Sequence, residues 1–374
     1  MRGLVLLAVL IMGMARPAWP AKPANIQQLE QLLDATHGQS DHKVSNQIAG
    51  LELTERISSA RLTRWLTELP GRHSRDALIQ LADAAAFLDL PAADMPAINP
   101  PALEAQRAML SQAVQYAAQA IARLPNFYAT RTTEHFADMP PGQQMDPLTA
   151  ASGARDRHSG GISSMAPEES AYEPMHLVDK SSVTVSYSNG YELRGSKRVD
   201  FNAPSLSEPW LATVGEFGPI LSVVLSDAVH GAITWGYWEQ GQSGTEAVFR
   251  YLVTARQSNY MVELPHGDLI ARLHPAYHGE IAIDPADGSI LRITLVAIMA
   301  APWEMVRNAI QVEYGLIPLG GSTYLCPVRS VALSRTPRSD PENNHAIAQN
   351  QLNDVAFTNY HLFRSESRIV PVEP

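Results

Sequence analysis

Apolar residues recur at helical spacing through the first third of the chain, residues 24–124. One stripe begins after Thr54, a candidate N-cap, and stops at Pro70 and Gly71, which commonly end helices. Its members follow the spacing i, i+3, i+4 and i+7: Leu62, Trp65, Leu66 and Leu69. The pattern predicts an amphipathic helix whose apolar face packs against a neighbour.

Two further stripes extend the helical pattern. Ser74 is placed to cap the first of them, and Pro101 suits the first turn of the second, after a proline-rich break. The apolar members of the two stripes are Leu78, Leu81, Ala82, Ala85 and Leu88, and then Leu103, Leu110, Val114, Ala117, Ile121 and Leu124. We therefore predict a small helical module, followed by a longer helix that leads into the rest of the chain.

Beyond residue 125 the pattern changes from helical spacing to alternation. Residues 126–133 combine aromatic and β-branched residues and predict a first strand. From residue 177 onward, turn signals such as Asn189-Gly190 and Gly320-Gly321 recur at hairpin spacing. The strands predicted between the turns cover residues 183–187, 233–238, 248–253, 281–283, 290–296, 310–314, 324–334 and 355–363. About ten strands with short connections indicate an antiparallel meander.

One apolar helix interrupts the predicted strands. Its stripe lies within residues 215–229 and consists of Phe217, Ile220, Leu221, Val224, Leu225 and Ala228. A single apolar helix inside a meander has one natural place, which is against the concave face of the sheet. The predicted fold class is therefore α+β: an N-terminal helical module followed by a curved, half-barrel-like antiparallel β-sheet that a helix covers.

The chain divides into five predicted segments. Residues 1–21 are interpreted as a secretory signal, because Arg2 precedes about eleven apolar residues, fewer than the roughly 20 that span a bilayer. Cleavage is expected between Arg16 and Lys22, and an uncleaved membrane anchor is the alternative. The other segments are the helical module at 22–101, the helix and first strand at 102–137, a flexible insertion at 138–175 and the antiparallel β domain at 176–370. The body of the protein is accordingly expected in the periplasm or outside the cell.

Charge narrows the range of partners. The formal net charge is −10, and no segment after the predicted signal is basic. The sequence therefore argues against nucleic acid as a partner, and against a general electrostatic attraction to anionic lipid head groups. Any contact with lipid is expected to come from an apolar cavity instead.

The chain has one cysteine, Cys326, and so cannot form an intramolecular disulfide. A lone thiol in an oxidising compartment is safest in the interior, where cysteine is commonly found. We predict that Cys326 is buried and dispensable. Pro327 follows it and lacks a backbone donor, which predicts a sheet edge or a bulge at this point.

Common catalytic and metal-binding signatures are absent from the sequence. There is no GxSxG, HExxH, Walker A, GxGxxG or paired CxxC motif. Three histidines are expected to be solvated loop residues rather than metal ligands: His266, His274 and His278. Three carboxylates are possible catalytic acids, although carboxylates are also the expected background of an acidic surface: Glu216, Glu239 and Glu246. We expect no catalytic residue, no metal and no cofactor.

A candidate ligand site follows from the aromatic and apolar faces of two adjacent strands. Ile233, Trp235 and Tyr237 share one face of the first strand, with Trp238 opposite. Covered by the helix at 215–229, such faces would form a hollow for a hydrophobic ligand. The candidate ligand-binding residues are Phe217, Leu221, Val224, Leu225, Ile233, Trp235, Tyr237, Phe249 and Tyr251. The alternative is that the helix simply fills the sheet as a packed core.

Parts of the chain resemble known protein families. Residues 124–136 read LPNFYATRTTEHF, residues 279–295 read GEIAIDPADGSILRITL, and residues 310–335 read IQVEYGLIPLGGSTYLCPVRSVALSR. They resemble a family of secreted proteins common in Acidobacteria that carries no assigned activity. The order of elements over residues 102–365 also resembles the curved-sheet fold of the outer-membrane lipoprotein carrier and of periplasmic regulators that sense mislocalised lipoproteins. That resemblance implies an apolar hollow for acyl chains between sheet and helix, although the N-terminal helical extension has no counterpart there.

The sequence thus predicts an exported envelope protein, rather than an enzyme, that binds a hydrophobic ligand or senses envelope components. A lipid, a lipoprotein acyl chain or another envelope protein would be its partner. Two alternatives stay open: a structural or adaptor protein that docks a partner through its helical module, and a hydrolase of an unrecognised type.

Overall fold

The fold is that of a computed structural model, which describes residues 21–138, 175–188, 191–194, 197–198, 211, 213, 215–216, 219–241, 244–266, 269–303, 306–339 and 346–363. The predicted signal segment lies outside the described residues apart from Ala21. The predicted insertion does so apart from Asp138 and Met175.

Four helices among the described residues build the helical module. Two short strands, one before the first helix and one after the second, pair with each other. The helices are α1 (Ile26–Ala35), α2 (Asp41–Ala49), α3 (Ser59–Glu68) and α4 (Arg72–Ala84), and β1 (Lys22–Ala24) pairs in parallel with β2 (Leu51–Leu53). The module has its own buried core, which includes Leu29, Val44, Ile48, Trp65 and Leu78. The predicted stripes of α3 and α4 face this core, so their amphipathic interpretation is confirmed.

The start of α3 differs from the predicted one. Its N-cap is Ser58, four residues after Thr54. The Thr54 amide donates to the Ala24 carbonyl oxygen at 3.0 Å and so prolongs the β1–β2 pairing. Thr54 therefore extends the pairing of two short parallel strands, which the helical pattern does not reveal, and does not cap α3.

The cap of α4 also differs, because it comes from another helix. The N-cap position is Gly71, and Ser74 lies inside the first turn. The Asp41 carboxylate, at the start of α2, accepts hydrogen bonds from the amides of His73 and Ser74 at 3.0 and 2.9 Å. This contact satisfies two of the free amides at the start of α4 and joins the two helices.

The next helix, α5, covers Leu103–Arg123, and its buried face matches the predicted one only in part: Leu110 and Ala117 pack in the core as expected. Ala113 and Ala117 are buried, whereas Val114 is 40% exposed. The turn at Gly288 approaches this face closely, since a Cβ there would lie 3.1 Å from the Ala113 amide nitrogen. Close backbone approach, which small residues permit, decides which face of α5 is buried.

Eleven of the described strands form one curved sheet in which every neighbouring pair is antiparallel. In order across the sheet they are β6 (Lys197–Arg198), β5 (Tyr191–Arg194), β4 (His176–Ser188), β3 (Phe127–Ala137), β15 (Ala346–Leu362), β14 (Ser322–Ser339), β13 (Arg307–Leu319), β12 (Ile290–Ile298), β11 (Ala276–Ile283), β8 (Thr245–Val253) and β7 (Ala232–Gln240). A separate hairpin consists of β9 (Val262–His266) and β10 (Leu269–Leu273). The predicted fold class is confirmed.

The strand order is a meander that is interrupted twice. The chain leaves the sheet at the β6 edge and returns at the β7 edge, and α6 (Pro219–His230) belongs to the crossing between them. The β9–β10 hairpin lies outside the sheet, so β8 pairs directly with β11. The C-terminal strand β15 pairs with β3 in the middle of the sheet. The predicted plain meander is therefore too simple, and α6 starts four residues later than the predicted helix.

The sheet carries helices on both faces. One face, here called the α6 face, packs against α5 and α6. The other, here called the module face, packs against the helical module, where Leu90 contacts Tyr237, Val248 and Ala282. Side chains alternate between the two faces along each strand, so one sheet supports two separate cores.

A buried ion-pair group attaches the helical module to the sheet. Glu239 of β7 lies 2.8 Å from Arg56 of the module and 2.7 Å from Arg292 of β12. The Arg56 guanidinium also donates to the Tyr237 hydroxyl at 2.9 Å. The module is therefore fixed to the sheet by specific contacts, in addition to apolar packing.

Cys326 is buried in β14, as predicted. Burial raises the pKa of its thiol to about 12. The register of β14 on β13 shifts beside it, since Pro327 pairs with Tyr314 and Arg329 with Glu313. The bulge predicted from Pro327 is thereby confirmed.

Candidate functional site

The helix α6 lies on the sheet with its most apolar side buried. Ile220, Leu221 and Val224 are buried in a cluster with the strands, and Leu225 is partly buried against it. The opposite side of α6 is mostly polar: Ser222, Ser226 and His230 are exposed there beside Val229, which is 64% exposed. α6 is therefore an amphipathic helix whose apolar side covers the sheet.

The strand residues predicted to bind a ligand meet α6 in this cluster. Phe249 and Tyr251 of β8 are buried, and Ile233 and Trp235 of β7 are partly buried against them. The Trp235 ring packs edge-on against the Phe249 ring, with centroids 5.3 Å apart. The structure brings these residues together, while Phe217 lies outside the described residues. Their role in binding stays a prediction.

Tyr237 lies on the module face, contrary to the predicted alternation. The register of β7 on β8 shifts between Trp235 and Tyr237, so Gly236 forms a bulge that exchanges the two faces. Trp238 consequently lies beside Trp235, with ring centroids 4.9 Å apart. A Cβ at Gly236 would lie 2.9 Å from the Val248 carbonyl oxygen, which explains why glycine occupies the bulge.

The interface beneath α6 is filled in this conformation. Val224 and Phe249 are almost completely inaccessible to solvent. Two depressions on the described surface lie elsewhere: one of about 50 Å³ borders Trp65, and one of about 340 Å³ is lined by charged residues that include Arg61 and Asp94. The packed-core alternative therefore describes α6 as the structure places it.

A buried carboxylate in α6 holds the C-terminal half of this helix on the sheet. Asp227 accepts a hydrogen bond from the Tyr277 hydroxyl at 2.9 Å. It also accepts from the Asn259 amide nitrogen at 2.7 Å and from Asn259 Nδ2 at 2.5 Å. Burial, with Asp227 as hydrogen-bond partner, raises the pKa of Tyr277, so the hydroxyl keeps its proton. These contacts are directional, unlike the apolar packing around them.

A second buried carboxylate holds the segment that leads into α6. Glu216 lies just before α6 and forms an ion pair with Arg131 of β3 at 3.2 Å. The Thr213 hydroxyl donates to the same Glu216 oxygen at 2.9 Å. Both ends of the α6 segment are therefore fixed by polar contacts to the sheet. Glu216, considered above as a catalytic acid, is placed as a structural partner of an arginine.

The residues that hold α6 were visible in the sequence only as breaks in a pattern. Asp227 follows Val224 by three positions and so falls on the apolar side of α6. Arg131 follows Phe127 and Ala129 at intervals of two residues, and therefore shares their buried face of β3. A charged residue in an apolar periodicity was the available signal, and its partner could not be identified without the fold.

The other two glutamates considered as catalytic acids, Glu239 and Glu246, are buried to a large extent. Arg292 and Arg56 lower the pKa of Glu239 to about 2, although burial alone would raise it. Burial raises the pKa of Glu246 to about 7.

His266 and His278 lie in strands, where loops were predicted, and His274 lies in a loop. Within the described residues, no group of three or more His, Cys, Asp or Glu side chains could hold a metal ion.

Comparison with known proteins yields one likeness of fold. No family model matches the sequence, and no curated protein matches it. A solved structure of a LolA superfamily protein from Nitrosomonas europaea aligns over 71% of this chain and 97% of that chain, at 8% identity. Its TM-score is 0.29, so the likeness carries no argument about function. In the described part of the chain, no helix has both the length and the apolar character needed to cross a membrane.

Proposed function

We propose that this is an exported protein that binds the apolar chain of a lipid or of an acylated partner beneath α6, which acts as a movable cover. The observation that carries the proposal is the way in which α6 is held. Directional contacts of two buried carboxylates, Glu216 just before α6 and Asp227 within it, hold this helix in addition to its apolar packing. A helix that merely completed a core would need neither carboxylate, because buried charge is unfavourable unless it is well paired.

A ligand chain can replace α6 without a large change in free energy. Burial of an aliphatic side chain contributes about 1.5–3 kcal/mol, so Ile220, Leu221 and Val224 together contribute about 5–9 kcal/mol. A ligand chain of roughly ten CH₂ groups gains about 8 kcal/mol in the same environment. The exchange is therefore close to balanced, which suits reversible binding.

Binding would depend on the population of molecules in which α6 has moved. When only a fraction of molecules is competent, the apparent dissociation constant is the intrinsic one divided by that fraction. A change that weakens the hold on α6, and leaves the apolar cluster intact, should therefore tighten binding. This direction distinguishes a movable cover from a permanent core, in which loss of a buried hydrogen bond gives no gain in affinity.

The test is the variant Tyr277→Phe, with the affinity for the neutral fluorescent probe N-phenyl-1-naphthylamine as the measurement. The variant removes one hydrogen bond to Asp227 and keeps the ring in the cluster. We expect the closed state to lose about 1–2 kcal/mol and the probe to bind about five to thirty times more tightly.

Tyr251→Phe is the matched control. Tyr251 lies in the same cluster, but its hydroxyl donates to the Thr294 carbonyl oxygen at 2.7 Å, within the sheet. It does not hold α6, so its loss should leave the probe affinity unchanged. Failure of both the natural protein and Tyr277→Phe to bind the probe would contradict the proposal and favour the adaptor alternative.

A further inference from the structure

A polar cluster lies on the α6 face beside the apolar cluster. It consists of Arg131, Thr213, Glu216, Tyr314 and Ser330, all of them buried, and is called the Arg131 cluster below. The ring of Tyr314 also belongs to the apolar cluster beneath α6. A chain bound beneath α6 would therefore end near these polar groups.

Among the described residues, all hydrogen bonds of the Arg131 guanidinium come from one nitrogen, Nη2. Nη2 donates to the Thr213 carbonyl oxygen at 3.1 Å, to the Thr213 hydroxyl at 2.7 Å and to Glu216 Oε1 at 3.2 Å. Oε1 of Glu216 also lies 3.4 Å from the Ser330 hydroxyl. The ion pair thus joins one nitrogen to one oxygen, whereas arginine commonly binds a carboxylate through two parallel hydrogen bonds.

Three buried polar atoms of the Arg131 cluster have no hydrogen-bond partner among the described residues. They are Arg131 Nε, Glu216 Oε2 and the Tyr314 hydroxyl. Buried polar groups are nearly always paired in folded proteins, so three in one place require an explanation. Two are donors: burial, with the charge of Glu216 adding to it, raises the pKa of Tyr314, so the phenol keeps its proton. Unused donors beside an arginine suit an anion.

We propose that the Arg131 cluster binds the anionic head group, a carboxylate or a phosphate, of an amphiphile whose chain lies beneath α6. This inference rests on the proposed function. Nε and Nη2 form the edge of the guanidinium that binds two oxygens of one anion. Glu216 uses only Nη2, so an anion that uses both nitrogens displaces it. The Tyr314 hydroxyl then supplies a third donor.

The same displacement couples the head group to the movement of α6. Glu216 lies just before Pro219, the first residue of α6, and its pairing with Arg131 fixes this end of the cover. An anion that replaces Glu216 releases that end, which favours the open position that chain binding needs. The positive charge that binds the anion is a buried arginine, Arg131. A protein of net charge −10 can therefore still bind an anion at this position.

Competition for N-phenyl-1-naphthylamine at neutral pH tests the inference. The competitors share one chain and differ in the head group: decanoate, decyl phosphate and decanol, each below its micelle-forming concentration. We expect one or both anions to displace the probe at concentrations about ten times lower than decanol, as charged hydrogen bonds allow. The stronger of the two anions identifies the head group. Equal competition by all three would overturn the inference but leave the proposed function intact, whereas no binding of probe or decanol would overturn both.

Two variants assign the preference to the cluster. The readout is the ratio of the competing concentration of decanol to that of the anion. Glu216→Gln keeps the size of the side chain and removes the competing charge, so the ratio should rise several-fold. Arg131→Gln should reduce the ratio to about one. An unchanged ratio in Glu216→Gln, which does not depend on whether Arg131→Gln folds, would contradict the exchange of anions at Arg131.

Discussion

At the scale of single residues, the environment of each buried carboxylate decides what it does. Glu239 lies between two arginines and stays ionised, with a pKa of about 2. Glu246 is its cross-strand partner on β8. Burial raises the pKa of Glu246 to about 7, the charge of Glu239 adds to this effect, and Arg292 opposes it. Asp227 and Glu216 are placed instead to hold a helix.

The raised pKa of Glu246 predicts a pH-dependent stability. The folded-state value of about 7 lies above the ordinary value of 4.5, so the neutral form is favoured in the folded protein. Its contribution is fully present below pH 4.5 and is lost as the pH rises through 7. Glu246→Gln, which stays neutral, should therefore raise the free energy of unfolding at pH 8 by about 1–2 kcal/mol, after allowance for partial exposure.

Urea unfolding at pH 4 and at pH 8 measures this effect. The difference between Glu246→Gln and the natural protein should be small at pH 4 and grow toward pH 8. Glu52→Gln, at an exposed position on β2, is the control and should show no such growth. A difference that is the same at both pH values would mean that Glu246 ionises as an exposed glutamate does.

At the scale of elements, side-chain pattern predicted most of the strands and the buried faces of α3, α4 and α6, and it was less accurate for α5. The turn that ends at Gly288 and the Gly320-Gly321 turn both separate paired strands, as expected from their sequences. The buried face of α5 was predicted only in part: Ala117 is buried as expected, but Ala113 is buried and Val114 exposed, because a small residue permits closer packing. Contacts from distant segments decide such cases, and a local pattern does not contain them.

The candidate site was predictable to the same limited extent. Ile233, Trp235, Phe249 and Tyr251 were placed together because strand alternation is a local property. Tyr237 was misplaced because the bulge at Gly236 reverses that alternation, and an isolated glycine does not specify a bulge. The polar contacts of α6 could not be predicted, since Arg131, Asn259 and Tyr277 are distant from it in the chain.

The packing of α6 predicts that the same substitution changes stability strongly on its buried side and weakly on its exposed side. Val224 is fully buried in the cluster, so Val224→Phe should overpack it and lower the free energy of unfolding by about 1–3 kcal/mol. Val229→Phe, the same change on the exposed side, should alter stability by less than about 0.5 kcal/mol. A neutral Val224→Phe would instead reveal free space beneath α6.

At the scale of the whole molecule, the two faces of the sheet have different attachments. On the α6 face, a short helix is held by a few polar contacts, which suits movement. On the module face, Arg56 joins the ion-pair group of Glu239 and Arg292, and Arg329 of β14 lies close to Asp83 of α4. The helical module is thereby attached to this face by several ion pairs. An adaptor role would have to use the outer side of the module.

The buried ion pairs predict that Arg56 attaches the module to the sheet. Arg56→Ala removes one of the two arginines on Glu239, and loss of one partner of a buried pair lowers the free energy of unfolding by about 3–5 kcal/mol. Hydrogen exchange should then quicken in α4 more than in β12, because the module loses its attachment. Arg64→Ala removes a half-exposed pair with Glu30 and should change stability by less than about 1 kcal/mol. Equal loss of protection in α4 and β12 would show that Arg56 supports the sheet itself and that the attachment of the module rests on its apolar contacts.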